Sequence, residues 1–336
     1  MEENAKTTDF NDFKTDINQA VPKTLDHIIG QKQVIDTLRT SLKAYFNDRS
    51  TSGKSDLPYG PVLFVGPAGT GKSLVAEALH AELGNFHMIE RIGETLRGND
   101  DLYSILVEAD ENTTIFIDES QGISPANQHI LLKALSEKRL CVPRSKSANV
   151  FHTIPLSNYL MILATTHEYH LQDALRNRVR IYCRFVHYCP EDMVEIVRQR
   201  ATALKWKYES DEVLRLIAER AKGTPRLALN RNLAMCWSVT RSENRAEITV
   251  SDAHNAFKLL DIDHLGLDKL ERTYLQALKG SGKSCLNTIS SMLSLPPYTI
   301  QKVIEPYLFK QGLVNKDRAC LRTLTDKGRD HLEKVE

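Results

Sequence analysis

A glycine-rich loop is the first group of residues in this chain that could do chemistry. An apolar run at residues 61–65 leads directly into a G-x-x-x-x-G-K-S sequence at residues 66–73. The glycines let backbone N–H groups face an anion, and the helix expected to begin near Ser73 presents its positive end to the same anion. Lys72 adds a charge for the β- and γ-phosphates, and the Ser73 hydroxyl can hold Mg²⁺. The pattern therefore predicts binding of a nucleoside triphosphate by Gly66, Gly69, Gly71, Lys72, Ser73 and Leu74.

Two carboxylates follow a second apolar segment. Residues 114–118 have strand character, and Asp118 and Glu119 stand at the end of that strand, where open α/β sheets bind their ligands. Asp118 is expected to hold Mg²⁺ through water, and Glu119 to polarise the attacking water. An Asp-Glu pair is common at strand ends. Downstream of a phosphate-binding loop, however, it indicates the second half of a nucleotide-hydrolysing site.

Hydroxyl and guanidinium groups come next in the chain. Thr165 and Thr166 end a strand predicted at residues 160–165, and either could hydrogen-bond the γ-phosphate or the attacking water. The alternative is that one of them caps the next helix. Arg176 and Arg178 close that helix, where arginines can simply interact with the helix dipole. The alternative is that one of them is an arginine finger that enters a neighbouring subunit's site.

The remaining pattern shows which elements must position these groups. Strands predicted at residues 61–65, 87–91, 114–118 and 160–165 alternate with helices, which favours a parallel sheet flanked by helices. From residue 190 to residue 260 the apolar period is helical throughout, which indicates a small all-helical domain. Within it, Arg226 follows a Gly-Thr-Pro sequence at a helix start. It is either a surface arginine or one that touches the γ-phosphate. Helices and a short β-like stretch form a third unit after Gly266.

Composition limits the class of protein. The chain has 336 residues, enough for two or three domains. Its net charge of +1 gives no overall indication for or against nucleic-acid binding. Its six cysteines form no C-x-x-C pair or metal-ligand cluster, which is typical of reduced thiols in a cytoplasmic protein. No apolar run approaches about 18 residues. Residues 1–21 are polar and acidic and are expected to form a flexible arm.

With these elements in this order, the chain resembles the AAA+ ATPases and, more closely, the RuvB family of Holliday junction branch-migration motors. The resemblance runs from about Leu25 to the C-terminus. Outside the ATPase motifs it rests on Asp263-x-x-Gly266-Leu267-Asp268 and on residues 299–312. It implies an AAA+ P-loop domain at residues 22–188, a helical lid domain at 189–263 and a winged-helix DNA-binding domain at 264–336.

The resemblance also implies roles for single residues and a partner. Arg178 would be the finger, Arg226 a second sensor of the nucleotide, and Tyr188 an aromatic side chain beside the adenine. The segment from Arg139 to Tyr159 occupies the place of the hairpin through which RuvB engages its junction-binding partner, RuvA. We therefore expect this segment to meet a RuvA-like protein.

The chain departs from the family in four places. Ala20 and Val21 stand where an arginine is expected near the adenine, and the hairpin differs in its apolar tip. Ser120 and Gln121 follow the catalytic carboxylates where RuvB has an apolar residue and a histidine. The wing at residues 314–322 lacks the family's arginine-rich sequence; its basic residues, which we expect to contact DNA, are Lys316, Arg318 and Arg322. Residues 267–336 hold twelve Lys and Arg against eight Asp and Glu, a net charge of +4, which is compatible with phosphate contacts.

Three classes of function fit these features. The first is a Mg²⁺- and ATP-dependent motor, working as a hexameric ring in the cytoplasm, that moves duplex DNA and acts on four-way junctions. The second is a nucleotide-switched winged-helix protein with slow turnover, like the origin-recognition initiators. The third is a protein-remodelling or clamp-loading subunit. The resemblance in the C-terminal region favours the first.

Overall fold

The computed structural model describes residues 17, 20–52, 59–145 and 148–335. They form two compact units, which divide between Asp192 and Met193. The flexible arm expected at residues 1–21 lies outside the described residues except for Ile17, Ala20 and Val21. Among the described residues, no helix combines the length and the apolar character that crossing a membrane requires.

A five-stranded parallel sheet is the centre of the first unit, and its strands in spatial order are His87–Ile92, Thr113–Asp118, Leu160–Thr165, Val62–Val65 and Ile181–Arg184. Its helices are α1 (Lys32–Ser52), α2 (Lys72–Leu83), α3 (Asn99–Glu108), α4 (Pro125–Glu137) and α5 (Asp173–Arg176). The strands of this unit are β1 (Val62–Val65), β2 (His87–Ile92), β3 (Thr113–Asp118), β4 (Arg139–Ser145), β5 (Ala148–Pro155), β6 (Leu160–Thr165) and β7 (Ile181–Arg184). Strands β4 and β5 form a separate antiparallel hairpin.

The central strands are buried on both faces, because alternate side chains enter two different apolar cores. Leu63 and Leu163 pack in one core with residues of α3 and α4. Phe64 and Ile162 pack in the other with residues of α1 and α2. Helices therefore cover both faces of the sheet, and the carboxyl ends of the strands form one common edge.

The four strands predicted from the sequence are present, each within one residue of its predicted bounds. Strand β7 was not predicted. It lies at the edge of the sheet, and its exposed residues Tyr182 and Arg184 give it no continuous apolar run. The segment from Arg139 to Tyr159 contains the hairpin β4–β5 that the family resemblance implied.

The second unit begins with helices. They are α6 (Pro190–Ala203), which leads into the unit, α7 (Asp211–Glu219), a π-helical stretch (Leu227–Leu233) that continues into α8 (Ala234–Ser242), and α9 (Val250–Leu259). Two short parallel strands, β8 (Lys207–Tyr208) and β9 (Glu247–Ile248), interrupt the predicted all-helical region. The rings of Trp206 and Trp237 stack with centroids 4.6 Å apart, which helps to hold these helices together.

A winged helix completes the second unit. Its elements are α10 (Lys269–Ser281), α11 (Leu286–Leu293), α12 (Pro297–Thr299), a π-helical stretch (Ile300–Ile304), α13 (Glu305–Lys310), β10 (Val314–Lys316), β11 (Arg322–Leu324) and α14 (Asp326–Val335). Strands β10 and β11 pair antiparallel and form the wing. Side chains from α10, α13 and α14, among them Tyr274, Leu308 and Leu332, pack in one core.

Polar contacts join the winged helix to the helices before it. Lys222 forms an ion pair with Glu271 in the first turn of α10, and the two side chains are 13% and 6% exposed. The Lys222 ammonium also lies 5.0 Å from the centroid of the Tyr307 ring. The Tyr307 hydroxyl donates to the carbonyl of Leu265 at 3.0 Å. The winged helix is thus fixed to the preceding helices by buried charge as well as by the chain itself.

Candidate functional site

The phosphate-binding loop connects β1 to α2 at the carboxyl edge of the sheet. Gly69 and Gly71 have φ of +73° and +98°, in the region that favours glycine. Gly66 has φ of +151°, and a Cβ there would lie 2.4 Å from the carbonyl oxygen of Phe185. Glycine is therefore required at Gly66 both by conformation and by the closeness of Phe185, the residue directly after β7.

Lys72 lies inside this loop and is 6% exposed. Its ammonium donates to the carbonyls of Gly66 and Pro67, each at 2.9 Å. The Thr70 hydroxyl donates to the same Pro67 carbonyl at 2.8 Å. These bonds hold the loop open around a positive charge at the start of α2, which is the arrangement that binds phosphate at helix N-termini.

Ser73 and Asp118 bring oxygen atoms together beside the loop. The Ser73 hydroxyl is 3.4 Å from Oδ2 of Asp118. The other carboxylate oxygen accepts a hydrogen bond from the backbone N–H of Glu119 at 2.8 Å, which fixes the carboxylate plane. A hydroxyl and a carboxylate at this separation are the kind of oxygen ligands that Mg²⁺ uses alongside phosphate and water.

Glu119 lies directly after β3 with φ of +45°, a left-handed conformation that is uncommon for glutamate. Its Oε2 accepts from Nε2 of Gln121 at 2.5 Å and from the hydroxyl of Thr166 at 3.3 Å. Among the described residues, none donates a hydrogen bond to the other carboxylate oxygen. Glu119 is thus held at one oxygen and open at the other.

The threonines at the end of β6 differ in their surroundings. Thr165 is fully buried, and its hydroxyl donates to Oε1 of Gln121 at 2.6 Å and accepts from the N–H of His167 at 3.0 Å. Thr166 is half-buried and bonds Glu119 and the ring of His167. Of the two predicted sensors, Thr166 is therefore the one with a hydroxyl nearer to solvent.

Gln121 connects these groups, and the sequence analysis gave it no role. Its amide contacts Glu119 through Nε2 and Thr165 through Oε1, with a longer contact of 3.3 Å to Thr166. The available signal was a polar side chain two residues after Glu119, the expected catalytic glutamate. Its threonine partners, however, lie more than forty residues away in the chain and come close to it only in the folded sheet.

Tyr188, which the family resemblance placed beside the adenine, is held against the phosphate-binding loop. Its hydroxyl donates to the carbonyl of Thr70 at 3.1 Å, and its ring lies so close to Gly30 that a Cβ there would be 2.8 Å away. Burial raises the pKa of Tyr188 to about 12, so the hydroxyl stays protonated at neutral pH. Nearby, the amide of Gln31 pairs with both backbone groups of Val186, at 2.7 and 3.2 Å.

Arg176 at the end of α5 and Arg178 just after it have different surroundings. Arg176 pairs with Asp173 and lies over the ring of Tyr169, 5.1 Å from its centroid. Arg178 is exposed, and no described residue accepts a hydrogen bond from its guanidinium. Arg178 is therefore available to a neighbouring molecule, whereas Arg176 is occupied within its own chain. Arg226 is exposed in the first turn of a helix in the second unit, as predicted.

The wing corrects one prediction. Of the three basic residues expected to contact DNA, Lys316 and Arg318 are exposed. Arg322 is only 2% exposed, and its Nε and Nη2 donate to the two carboxylate oxygens of Glu305 at 2.7 and 3.1 Å. The expectation that Arg322 contacts DNA is wrong for this structure, because its guanidinium is buried in an ion pair. The sequence showed its charge but not which side of the wing it faces.

Comparison with known proteins agrees with this architecture. Residues 20–185 match the RuvB Holliday junction DNA helicase P-loop domain, residues 188–263 the RuvB AAA lid domain, and residues 264–333 the RuvB C-terminal winged helix domain.

Solved structures of Thermotoga maritima RuvB are also similar. One, of a point mutant, is 26% identical with a TM-score of 0.78 and covers 93% of this chain and 98% of that chain. A second, described as the Holliday junction branch migration motor, is 26% identical with a TM-score of 0.76 and covers 93% and 97%. The sequence matches extend across all three domains and the fold agrees along nearly the whole length, so the chain belongs to the RuvB family of Holliday junction DNA helicases, which are P-loop ATPases.

Proposed function

We propose that this RuvB-family ATPase works as a ring of identical subunits, most simply a hexamer, that moves duplex DNA and drives branch migration at four-way junctions. One observation carries the proposal. The phosphate-binding loop, the acidic pair and the sensor threonines meet at one sheet edge, while exposed Arg178 lacks a partner among the described residues of its own chain. Such a site is completed by a second subunit.

The phosphate-binding loop would hold the triphosphate of ATP. Backbone N–H groups of the loop and of the first turn of α2 would bind phosphate oxygens, and the Lys72 ammonium would exchange its carbonyl partners for the β- and γ-phosphates. The residues proposed for this binding are Gly66, Gly69, Gly71, Lys72, Ser73 and Leu74. Tyr188, fixed beside the loop, is proposed to flank the adenine.

Mg²⁺ fits the oxygen atoms present beside the loop. The Ser73 hydroxyl would bind the ion directly, and Asp118, 3.4 Å from that hydroxyl, would hold one of the ion's water molecules. When bound, the ion would neutralise charge on the β- and γ-phosphates. The two protein oxygens leave room for the waters and phosphate oxygens that an octahedral ion needs.

Glu119 would act as general base. Its free carboxylate oxygen would accept the proton of the attacking water as the water oxygen bonds to the γ-phosphorus and the β–γ bridging bond breaks. Thr166, with Thr165 behind it, would orient the water or the γ-phosphate. Arg178 from the neighbouring subunit would neutralise charge in the transition state, and Arg226 would report the nucleotide's state to the helical lid.

Contacts outside the ATPase site complete the proposal. Lys316 and Arg318 in the wing would contact DNA phosphates, which suits a motor that must pass over any sequence. The hairpin within the segment from Arg139 to Tyr159 would engage a RuvA-like junction-binding protein. All six cysteines are free, which suits the reducing cytoplasm where we expect this DNA-acting protein to work.

The test is steady-state ATP hydrolysis at saturating Mg²⁺ and one salt concentration, without DNA, with linear duplex and with a four-way junction. Stimulation by duplex of any sequence, with a further rise on junctions, supports the proposal. Slow turnover that no DNA changes, in protein shown to bind ATP, would instead support a nucleotide-switched DNA-binding protein. The Lys72→Ala variant is the control for contaminating ATPases.

A further inference from the structure

Within the part of the chain that the structure describes, Gln121 is the side chain that hydrogen-bonds both the proposed general base and the buried sensor threonine. Its Nε2 donates to Oε2 of Glu119 at 2.5 Å, and its Oε1 accepts from the Thr165 hydroxyl at 2.6 Å. The Glu119 carboxylate can only accept, so the donor end of the amide faces Glu119 and its acceptor end faces the Thr165 hydroxyl, which can donate. The Gln121 amide thus connects Glu119 to Thr165 in one defined orientation.

The backbone that carries Gln121 is held on two sides. The hydroxyl of Ser120 is buried and donates to the carbonyl of Ala164, next to the sensor threonines, at 2.9 Å. On the other side, a Cβ on Gly93 would lie 2.4 Å from the carbonyl oxygen of Glu119, and a Cβ on Gly122 would lie 2.6 Å from Cγ of Glu94. Gln121 therefore projects from a closely packed turn, so the position of its backbone is fixed relative to Glu119.

Both donors to Glu119 converge on the same oxygen. Gln121 and Thr166 bind Oε2, and no described residue donates to Oε1. A carboxylate anchored at one oxygen keeps the other in a defined direction, which is what a general base needs to meet a water molecule. Without Gln121, the remaining bond to Glu119 from these two residues is the longer one, at 3.3 Å.

We propose that Gln121 is a positioning residue for hydrolysis. It orients Glu119 through Oε2, and it couples that orientation to Thr165 at the end of β6. This inference rests on the proposed function, in which Glu119 is the base. It adds that a change at the sensor threonines alters the direction of the base through the Gln121 amide.

The central experiment replaces Gln121 by methionine, which has a similar length but neither a donor nor an acceptor of comparable strength. We expect kcat for ATP to fall about tenfold or more, while KM changes less than about twofold, because a badly oriented base slows the chemical step without weakening phosphate binding. Unchanged kcat, or a loss confined to KM, would overturn the proposal.

Gln128 provides a matched control. It is 2% exposed, and both ends of its amide are bonded, but only to backbone groups: Nε2 to the carbonyls of Ile123 and His170, and Oε1 to the N–H of Gln172. Gln128→Met should lower the melting temperature with kcat near that of wild type. An equal fall in kcat for both variants would show that Gln121 only supports the fold.

Two further variants extend the test, and the first of them keeps the inference testable if Gln121→Met does not fold. Gln121→Glu keeps the shape and an acceptor for Thr165 but puts a second carboxylate beside Glu119, so kcat should again fall with little change in KM. In the double variant Thr165→Val, Gln121→Met, kcat should fall no further than in the more impaired of the two single variants. Both substitutions break the same hydrogen bond between Gln121 and Thr165, so their effects should not add. If the kcat reductions of the two single variants multiply in the double variant, Gln121 and Thr165 act independently and the proposed coupling is wrong.

The parallel variant Glu119→Gln separates this inference from the proposed function. If wild type hydrolyses ATP and Glu119→Gln abolishes turnover, the general base is supported whatever Gln121 does. If Gln121→Met then turns over at the wild-type rate, only the positioning role fails. If Glu119→Gln keeps full activity, the proposed base is wrong and the role of Gln121 falls with it.

Discussion

The guanidinium of Arg322 binds both carboxylate oxygens of Glu305 in the core of the winged helix. The two side chains are 3% and 4% exposed, and the Tyr274 hydroxyl donates to the same carboxylate at 2.9 Å. The ion pair raises the pKa of Arg322, so its charge is permanent. A basic residue of the wing therefore neutralises a buried acid and is not available to DNA.

Removing Arg322 should destabilise the winged helix. Arg322→Ala leaves the Glu305 carboxylate buried without its counter-charge, which we expect to cost about 3–5 kcal/mol of unfolding free energy. Urea unfolding of the full chain measures the loss. Arg318→Ala, at an exposed position of the same wing, should stay within about 0.5 kcal/mol of wild type. Normal stability with lost DNA affinity in Arg322→Ala would restore the original expectation.

Charge reversal at the exposed wing residues should weaken DNA binding. The double variant Lys316→Glu, Arg318→Glu loses two proposed phosphate contacts, so the slope of log K against log salt concentration should become shallower by about two. Fluorescence anisotropy with duplex DNA measures the slope. ATP hydrolysis without DNA should not change.

The matched control for the wing is Lys269→Glu, Lys334→Glu. Lys269 begins α10, about 18 Å along that helix from the end that adjoins the wing. Both lysines are exposed. This control makes the same change in net charge, so an equal loss of affinity would mean that DNA responds to overall charge and not to the wing.

Variants at Lys72 and Glu119 should separate nucleotide binding from ATP turnover. Lys72→Ala removes the ammonium from the loop and should abolish detectable ATP binding. Glu119→Gln keeps the phosphate-binding groups but cannot accept a proton, so nucleotide should bind while kcat falls about a hundredfold or more. Binding of a fluorescent ATP analogue and steady-state hydrolysis measure the two effects. Tight binding by Lys72→Ala would contradict the loop assignment.

Arg178 should act on the site of a neighbour. Arg178→Ala subunits and Glu119→Gln subunits should each be inactive alone. Mixed in equal amounts, they should recover activity, because about one interface in four pairs an intact Glu119 with an intact Arg178. Arg176→Ala should keep more activity than Arg178→Ala, since Arg176 already pairs with Asp173. Absence of recovery in the mixture, with rings present, would indicate a site completed within one chain.

Asp252 should make the second unit sensitive to acid. Burial alone would raise its pKa, but hydrogen bonds from Arg245, Thr249 and Thr240 lower it to about 2. The pKa is lower in the folded state than in the unfolded state, so its contribution to stability is present above about pH 4 and is lost toward pH 2. Asp252→Asn should be less stable at pH 7, and its difference from wild type should shrink over that range in thermal unfolding.

The parts of the fold that the sequence predicted are those determined locally. Strand β6 was predicted at its observed bounds because six apolar or small residues are buried together between two helical layers. The loop at residues 66–73 was recognisable because its glycines are required by backbone geometry. Strand β7 was missed because an edge strand needs few apolar residues.

The parts that the sequence could not predict depend on distant partners. Arg318 and Arg322 are four residues apart in one basic wing, yet one is exposed and the other pairs with Glu305. Gln121 was visible only as a departure from the family. Its role depends on Thr165, forty-four residues later, whose hydroxyl reaches it only because β3 and β6 are neighbours in the sheet.

The buried contact of Lys222 with Glu271 and Tyr307 has a mechanical consequence. Since it fixes the winged helix to the helices before it, a rotation that begins in those helices is carried to the wing and is not absorbed at a flexible joint. A unit of this size is about 30 Å across, so a turn of about 10° would displace its far end by about 5 Å. That exceeds the rise of one base pair, about 3.4 Å. The second unit can therefore rotate as one body, and the displacement of its far end is proportional to its length.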